Sequence, residues 1–289
     1  MDFYTTAIAQ GLGFVALAIG IFLSMRVLNL PDITTDGSYT LGAAVTSVML
    51  IQQINPVICI LVSMLCGALA GTLTGVIHVR LKVNALLSGI IVMTGLYSVN
   101  LMIMGRPNLP LITTANLFSV VNVNADIFIN RLLIFFVIAL LIIVTVNWLL
   151  KTDFGIAMRA IGNNTIMLRA NGVNTSVLKI KGLALANMFT ALSGSLIAQY
   201  QGFADINMGI GIVISGLGAV MIVEALMSLF NADKIILRLI GVVIGAVFFR
   251  LILGIALAAG LNPNYLKAVT ALIVLVVVAV AGLRKKELA

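Results

Sequence analysis

An all-α polytopic membrane protein is the fold class that the sequence predicts, and three observations predict it. Hydrophobic residues make up 62% of the 289 positions and charged residues 9%, with a mean hydropathy of +1.21; a soluble globular domain carries about a quarter charged residues. The apolar runs are continuous over about 18 residues or more, which suits membrane helices and disfavours the alternating pattern of a β-barrel. Lys and Arg gather where those runs end, as they do when they mark topology. A single domain, residues 1–289, accounts for the chain.

The N-terminal MDFYTTAIAQGLGFV lacks the basic n-region of a secretory signal, so the first apolar segment is expected to be a retained span. It runs from about Ala7 to Met25 and ends at Arg26. The polar segment Asn29 to Thr40 follows, in which Pro31 stops the helix. Asp32, Thr34, Thr35, Asp36 and Ser38 cluster there, where a lipid-facing surface is excluded. Residues 32–53 read as a broken second helix whose unwound part is covered by protein or lines a cavity. A solvated loop that caps the second helix is an equal reading of the same cluster.

Span three, Pro56 to Ile77, carries Gly67, Gly71 and Gly75, a spacing that lets another helix approach closely. His78, Arg80 and Lys82 close it, and His78 there suits an interfacial residue better than a proton relay. Cys59 and Cys66 stand about 10.5 Å apart along this helix, too far for a disulfide. Span four, Asn84 to Met104, holds Asn84, Ser88, Thr94, Ser98 and Asn100 as polar positions. A loop over residues 105–130 leads to span five, Arg131 to Leu150, which ends in Trp148 and Lys151. Span six runs from Leu183 to Tyr200 with Ser193-Gly194-Ser195 inside it. Span seven, Met208 to Phe230, is interrupted by Gly209, Gly211, Gly216 and Gly218 and holds Glu224. That carboxylate either pairs with Lys234 or Arg238 or lines a transport path. Spans eight, Ile235 to Leu257, and nine, Leu266 to Leu283, precede a basic end.

Nine transmembrane segments, with helices two and seven broken, place thirteen of the 17 Lys and Arg on one side of the membrane and four, Arg106, Arg131, Arg250 and Lys267, on the other. The positive-inside rule then puts the N-terminus outside and the C-terminus in the cytoplasm. Residues 151–181 become a cytoplasmic, basic stretch. Within it, Gly162-Asn163-Asn164 reads as a helix start and Asn171-Gly172 as a stop. Together they bracket Thr165 to Ala170, which displays Ile166, Met167 and Leu168 beside Arg169. Asn174-Thr175-Ser176 starts the next apolar run. A short capped helix outside the bilayer has nowhere in the membrane to bury those side chains, so it is expected to dock on a partner.

No catalytic constellation is visible. There is one His, no G-x-x-x-x-G-K-[ST], no H-E-x-x-H and no Cys/His metal spacing, so neither an enzyme nor a bound metal or cofactor is expected. The net charge of +8 belongs to topology and implies no nucleic acid. A gradient-driven secondary transporter with Glu224 as its ion site is the rival reading.

The stretch holding Gly155, Arg159, Ala160, Gly162, Asn163, Ala170, Gly172, Val173 and Asn174 resembles the cytoplasmic loop of permease subunits of ATP-binding-cassette importers, in the branched-chain amino acid and ribose or simple-sugar permease family. Its pattern is G-x-x-x-R-A-x-G-x-N followed by A-x-G-[VI]-N, and the likeness runs nearly the full length. Pro31 to Gly37, P-D-x-T-x-D-G, is similar to a subgroup associated with amino acids, aromatic ones included. Val223-Glu224 departs from the Gly-Gly pair usual there in branched-chain and ribose permeases. The resemblance implies a multi-pass subunit of a bacterial cytoplasmic membrane, paired with a second copy. A cytoplasmic ATP-binding subunit would carry ATP and Mg, and an extracytoplasmic solute-binding protein would deliver the solute. Thr165 to Ala170 would be the coupling helix, capped by Asn163 or Asn164, with Arg159 and Arg169 facing ATPase carboxylates. The implied solute is small and polar, an amino acid ahead of nucleosides or simple sugars. The expected solute path comprises Asp32, Thr34, Thr35, Asp36, Ser38, Asn84, Ser88, Thr94 and Glu224.

Overall fold

The computed structural model describes residues 2–112, 114–121, 126–230, 234–262 and 265–287. Helices α1 (Asp2–Gly13) and α2 (Val15–Ile21) run into a π-helix (Phe22–Val27), and together they give an apolar rod long enough to cross a membrane from Thr5 to Val27. The π-turn ends in the five-residue bond from Leu28 N–H to the Leu23 carbonyl, 3.0 Å. Asn29 then turns the chain with φ +54°, and residues 29–33 are outside any helix or strand.

Helix α3 (Thr34–Ile51) starts only there. The break expected in the second helix therefore lies ahead of it, at the Pro31 segment, and α3 itself is uninterrupted. Asp32 fills the place of a cap: its Oδ1 accepts the Thr34 N–H at 2.9 Å. Asn55 caps α4 (Pro56–Arg80), with Pro56 in the first turn, where no N–H is needed. Asn84 caps α5 (Ala85–Met104), and Gly105 closes it in the left-handed region.

Residues 105–130, expected to be a bare loop, contain strand β1 (Asn108–Pro110) and the short α6 (Leu117–Val120). Strand β1 pairs antiparallel with β2 (Phe203–Asp205), Leu109 opposite Ala204. Helix α7 (Ile127–Lys151) ends near the exposed Trp148. Helices α8 (Asp153–Asn163) and α9 (Thr165–Ala170) follow, then α10 (Thr175–Gln201), α11 (Ile212–Phe230), α12 (Ile235–Ala258) and α13 (Leu266–Glu287). The apolar run beginning at Leu183 is thus the later part of a longer helix launched at Asn174. The interruption of segment seven likewise lies before α11, in the turns up to Gly211; Gly216 and Gly218 sit inside a continuous helix.

Six helices are long and apolar enough to cross a membrane among the described residues, with shorter apolar stretches at Ile212–Val223 and Leu266–Val277. Helix α10 is the central post, packed by α3, α4 and α2. The glycine spacing on α4 serves this contact: a side chain at Gly67 or Gly71 would strike the Asn187 or the Leu183 carbonyl, and one at Gly75 would meet the Ile180 backbone. Without a hydrophobic gradient between helices in lipid, such close backbone approach is what holds them together. A second core joins the α1–α2 rod to α7, α10, α11 and α12 around Leu17, Phe135, Leu196 and Phe249.

Candidate functional site

At one end of the bundle, α8 and α9 stand on the tip of the first rod. Gly162 is in contact with the Val27 carbonyl, and Gly182 approaches the Leu28 side chain. Asn164, extended at φ −155°, ends α8 and starts α9: its Oδ1 accepts the N–H of Ile166 and of Met167, each at 3.0 Å. The stop signal works as read. Asn171 donates to the Met167 carbonyl at 3.0 Å, Gly172 adopts φ +76°, and Val173 N–H closes the turn on the Leu168 carbonyl at 3.1 Å. Arg169 Nε donates to Thr175 Oγ1 at 3.0 Å, tying α9 to the start of α10.

Three apolar residues were expected on display; two are. Ile166 is 80% and Met167 55% exposed, whereas Leu168 is 7% exposed and belongs to the main core. At 100° per residue, Leu168 lies about 200° around the helix from Ile166, so one anchors α9 while the other faces away. Asn163, Arg169, Ala170 and Gly172 are exposed, and Arg159 and Thr165 are half-buried. The Arg159 Nε is enclosed without a hydrogen-bond partner. A cleft of about 330 Å³ lies between Leu28–Leu30, Ile161–Ile166 and Lys179.

Deeper in the bundle, the segment 32–38 meets α10 and α4. Asn187 Nδ2 donates to Asp32 Oδ2 at 2.7 Å, and Ser38 Oγ donates to Asn187 Oδ1 at 2.7 Å. Thr34 and Thr74 share a hydroxyl bond of 2.7 Å, and Thr35 donates to the Asp32 carbonyl. Asp32, Thr34, Thr35 and Ser38 are all buried. Asn187 lies twelve residues into α10, about 18 Å from its start, so this cluster is inside the bundle and is not a solvated loop. Asp36 turns to α11 and accepts the Gly211 and Val213 N–H groups at 2.8 and 2.9 Å, capping a helix that begins beside it. Farther along α3, Thr46 donates to Ser195 at 2.7 Å, while Ser193 donates to the Gly13 carbonyl at 2.8 Å.

Asn84, Ser88 and Thr94 do not join this seam. Asn84 caps α5, Ser88 donates back to the Asn84 carbonyl, and Thr94, exposed, donates to the Ile90 carbonyl. The side chain of Glu224 lies outside the described residues. His78 Nδ1 donates to the Val83 carbonyl at 2.8 Å, bracing the α4–α5 turn. Sequence reasoning missed Asn187 and Thr74, which complete the buried network. The signal for Asn187 was present: it is a lone amide in the apolar run LALANMFTALSG.

Known sequences match this arrangement over almost all of its length. The sequence model of the family described as branched-chain amino acid transport system / permease component matches residues 3–279. A tyrosine transport system permease protein of Clostridioides difficile is 35% identical over 283 residues, covering 96% of this chain and 91% of that one. An uncharacterised protein of Rickettsia prowazekii is 33% identical over 280 residues, 96% of each chain. A ribose import permease protein of Haemophilus influenzae is 25% identical over 285 residues, covering 94% of this chain and 79% of its own. No solved structure gives a significant match. A helical, multi-pass chain matched from residue 3 to residue 279 thus belongs to the branched-chain amino acid transport system permease family.

Proposed function

We propose that this chain is the permease subunit of an ATP-driven importer that moves an amino acid, an aromatic one foremost, across a bacterial cytoplasmic membrane. The observation that carries the ATP-driven part is α9: Ile166 and Met167 are held out by caps at both ends and stay largely uncovered among the described residues. A separate ATPase, with its own ATP and Mg, supplies the groove, and Arg159 and Arg169 face its carboxylates. ATP closes the ATPase pair, the docked helices move together, and the bundle switches between outward-open and inward-open packings. The π-turn and the irregular residues 29–31 stand between α9 and the Asp32 cluster, a compliant stretch through which such a movement reaches α3.

The relative named for tyrosine transport supports an amino-acid solute, and the ribose relative keeps sugars as the alternative. The solute path runs along α5, whose exposed Thr94, Tyr97 and Ser98 are costly toward lipid and are covered when a second copy stands opposite. Asp32, Thr34, Thr35, Asp36 and Ser38 form the braced wall behind it, through α3, whose Gly37 carbonyl accepts from Asn100 of α5. Nine segments with the N-terminus outside put α9 in the cytoplasm and leave the β1–β2 end to a solute-binding protein.

Reconstitution in liposomes with the ATPase and the solute-binding protein tests this. Uptake of tyrosine that requires ATP inside and all three components is expected. Uptake by this chain alone under an ion gradient would overturn it in favour of a secondary transporter.

A further inference from the structure

The cleft of about 330 Å³ beside α9 has two kinds of wall. Leu28, Leu30 and Ile161, all buried, give it an apolar side. Lys179, Asn163 and Asn164 give it a polar one, and the described residues that line it include no carboxylate. It opens where the membrane-crossing rod ends, one residue past Val27.

Local structure fixes what the polar side can offer. The Asn164 Oδ1 is committed to the Ile166 and Met167 N–H groups, so the amide nitrogen is the end left to donate. Lys179 has three donors and no acceptor, and it stands four residues after Thr175 on the same face of α10. Because Arg169 Nε donates to Thr175 Oγ1 at 3.0 Å, the Arg169 guanidinium is held about one turn from Lys179, which lies in its repulsive field. A third cation stands on α8: Arg159, one turn before Asn163 on the same face, has its Nε enclosed without a partner. Like charges gathered from three successive helices oppose one another, and an anion among them relieves the opposition.

We propose that this cleft binds an organic phosphate, with Lys179 as its charged anchor, the Asn163 and Asn164 amides as further donors, and the leucine side against the organic part. A carboxylate presents two oxygens in one plane. A phosphate ester carries up to about two negative charges and three oxygens that point in different directions, which suits donors converging from the α8–α9 junction and from α10. Inorganic phosphate by itself would leave most of the 330 Å³ unfilled. The ester comes from solution, or it is the headgroup of a membrane phospholipid, whose phosphate lies at the level where the rod leaves the hydrocarbon.

The test uses the purified, delipidated full-length chain without an ATPase, so its outcome is independent of docking on α9. Glycerol 3-phosphate is titrated at constant ionic strength, with acetate as the control anion, and thermal unfolding is followed. A saturable rise in Tm of about 2–4 °C is expected when glycerol 3-phosphate far exceeds its Kd, and none with acetate. Lys179→Gln should weaken binding about ten- to a hundredfold, and Asn163→Ala, which keeps the test decisive if the glutamine variant does not fold, about three- to tenfold. Lys181→Gln, at an exposed residue outside the cleft, should leave binding unchanged. Native mass spectrometry after incubation with phosphatidylglycerol separates the two sources: one lipid retained per chain and lost in Lys179→Gln assigns a headgroup, and a response to glycerol 3-phosphate with no lipid retained assigns a soluble ester. Neither a saturable response nor a lipid lost in Lys179→Gln, an equal response to acetate, or binding unchanged in both Lys179→Gln and Asn163→Ala would overturn the proposal.

Discussion

The Asp32 cluster and α9 are built from similar materials and end in opposite states. Both begin at a residue whose side chain caps a helix, Asp32 for α3 and Asn164 for α9, and both follow a break in the preceding helix. In the cluster the Asp32 carboxyl, the Asn187 amide and the Ser38 hydroxyl find partners within the chain. On α9 the backbone is satisfied at both ends, yet two large apolar side chains face away from the protein. A region that answers its own bonding needs is structural; a rigid region that leaves apolar groups uncovered is waiting for a surface. The contrast separates residues that hold the fold from those that meet a partner, and it can be broken or sharpened by substitution.

The largest loss is expected from Asn187→Leu. It removes the amide between Asp32 and Ser38 and leaves the buried Asp32 Oδ2 without its donor, a change worth about 3–5 kcal/mol. Thermal unfolding in detergent should show it, and combining it with Asp32→Asn should be strongly non-additive. A loss under about 1 kcal/mol would mean that the cluster is not the brace described. Next comes Gly71→Ala. The added methyl would strike the Leu183 carbonyl, which also accepts from Asn187, at a cost of about 1–3 kcal/mol. Gly95→Ala is the control on the neighbouring helix, because nothing lies within 4 Å of that position. Replacing Asn164 by Ala should cost about 1 kcal/mol, felt as fraying of α9 and read by faster amide exchange at Ile166 and Met167.

Much of this contrast was legible in the sequence. The caps at Asn164 and Asn174, the stop at Asn171-Gly172 and the glycine spacing of α4 follow from local chemistry, and each element forms where that chemistry places it. The partners of segment 32–38 were not legible, because Thr74 and Asn187 are far away in the chain and only packing brings them together. Leu168 was misjudged for a related reason. Its neighbours look alike in sequence, and a six-residue helix is too short for periodicity to tell which face is inward. The contact of Arg250 with the Phe14 ring was not legible either, because those two residues are far apart in the chain and only packing brings them together.

The smallest expected effect on stability accompanies the largest on function. Ile166→Glu with Met167→Glu changes two exposed residues and should shift unfolding by no more than about 0.5 kcal/mol per substitution. It should nevertheless abolish solute-stimulated ATP hydrolysis in the reconstituted three-component transporter, while Leu168→Ala, a core truncation, costs about 2–5 kcal/mol of stability. Hydrolysis in the Ile166→Glu, Met167→Glu variant is therefore the direct measurement. Loss of stimulation with unfolding unchanged is what a docking helix predicts, and stimulation retained at the unsubstituted level would contradict it.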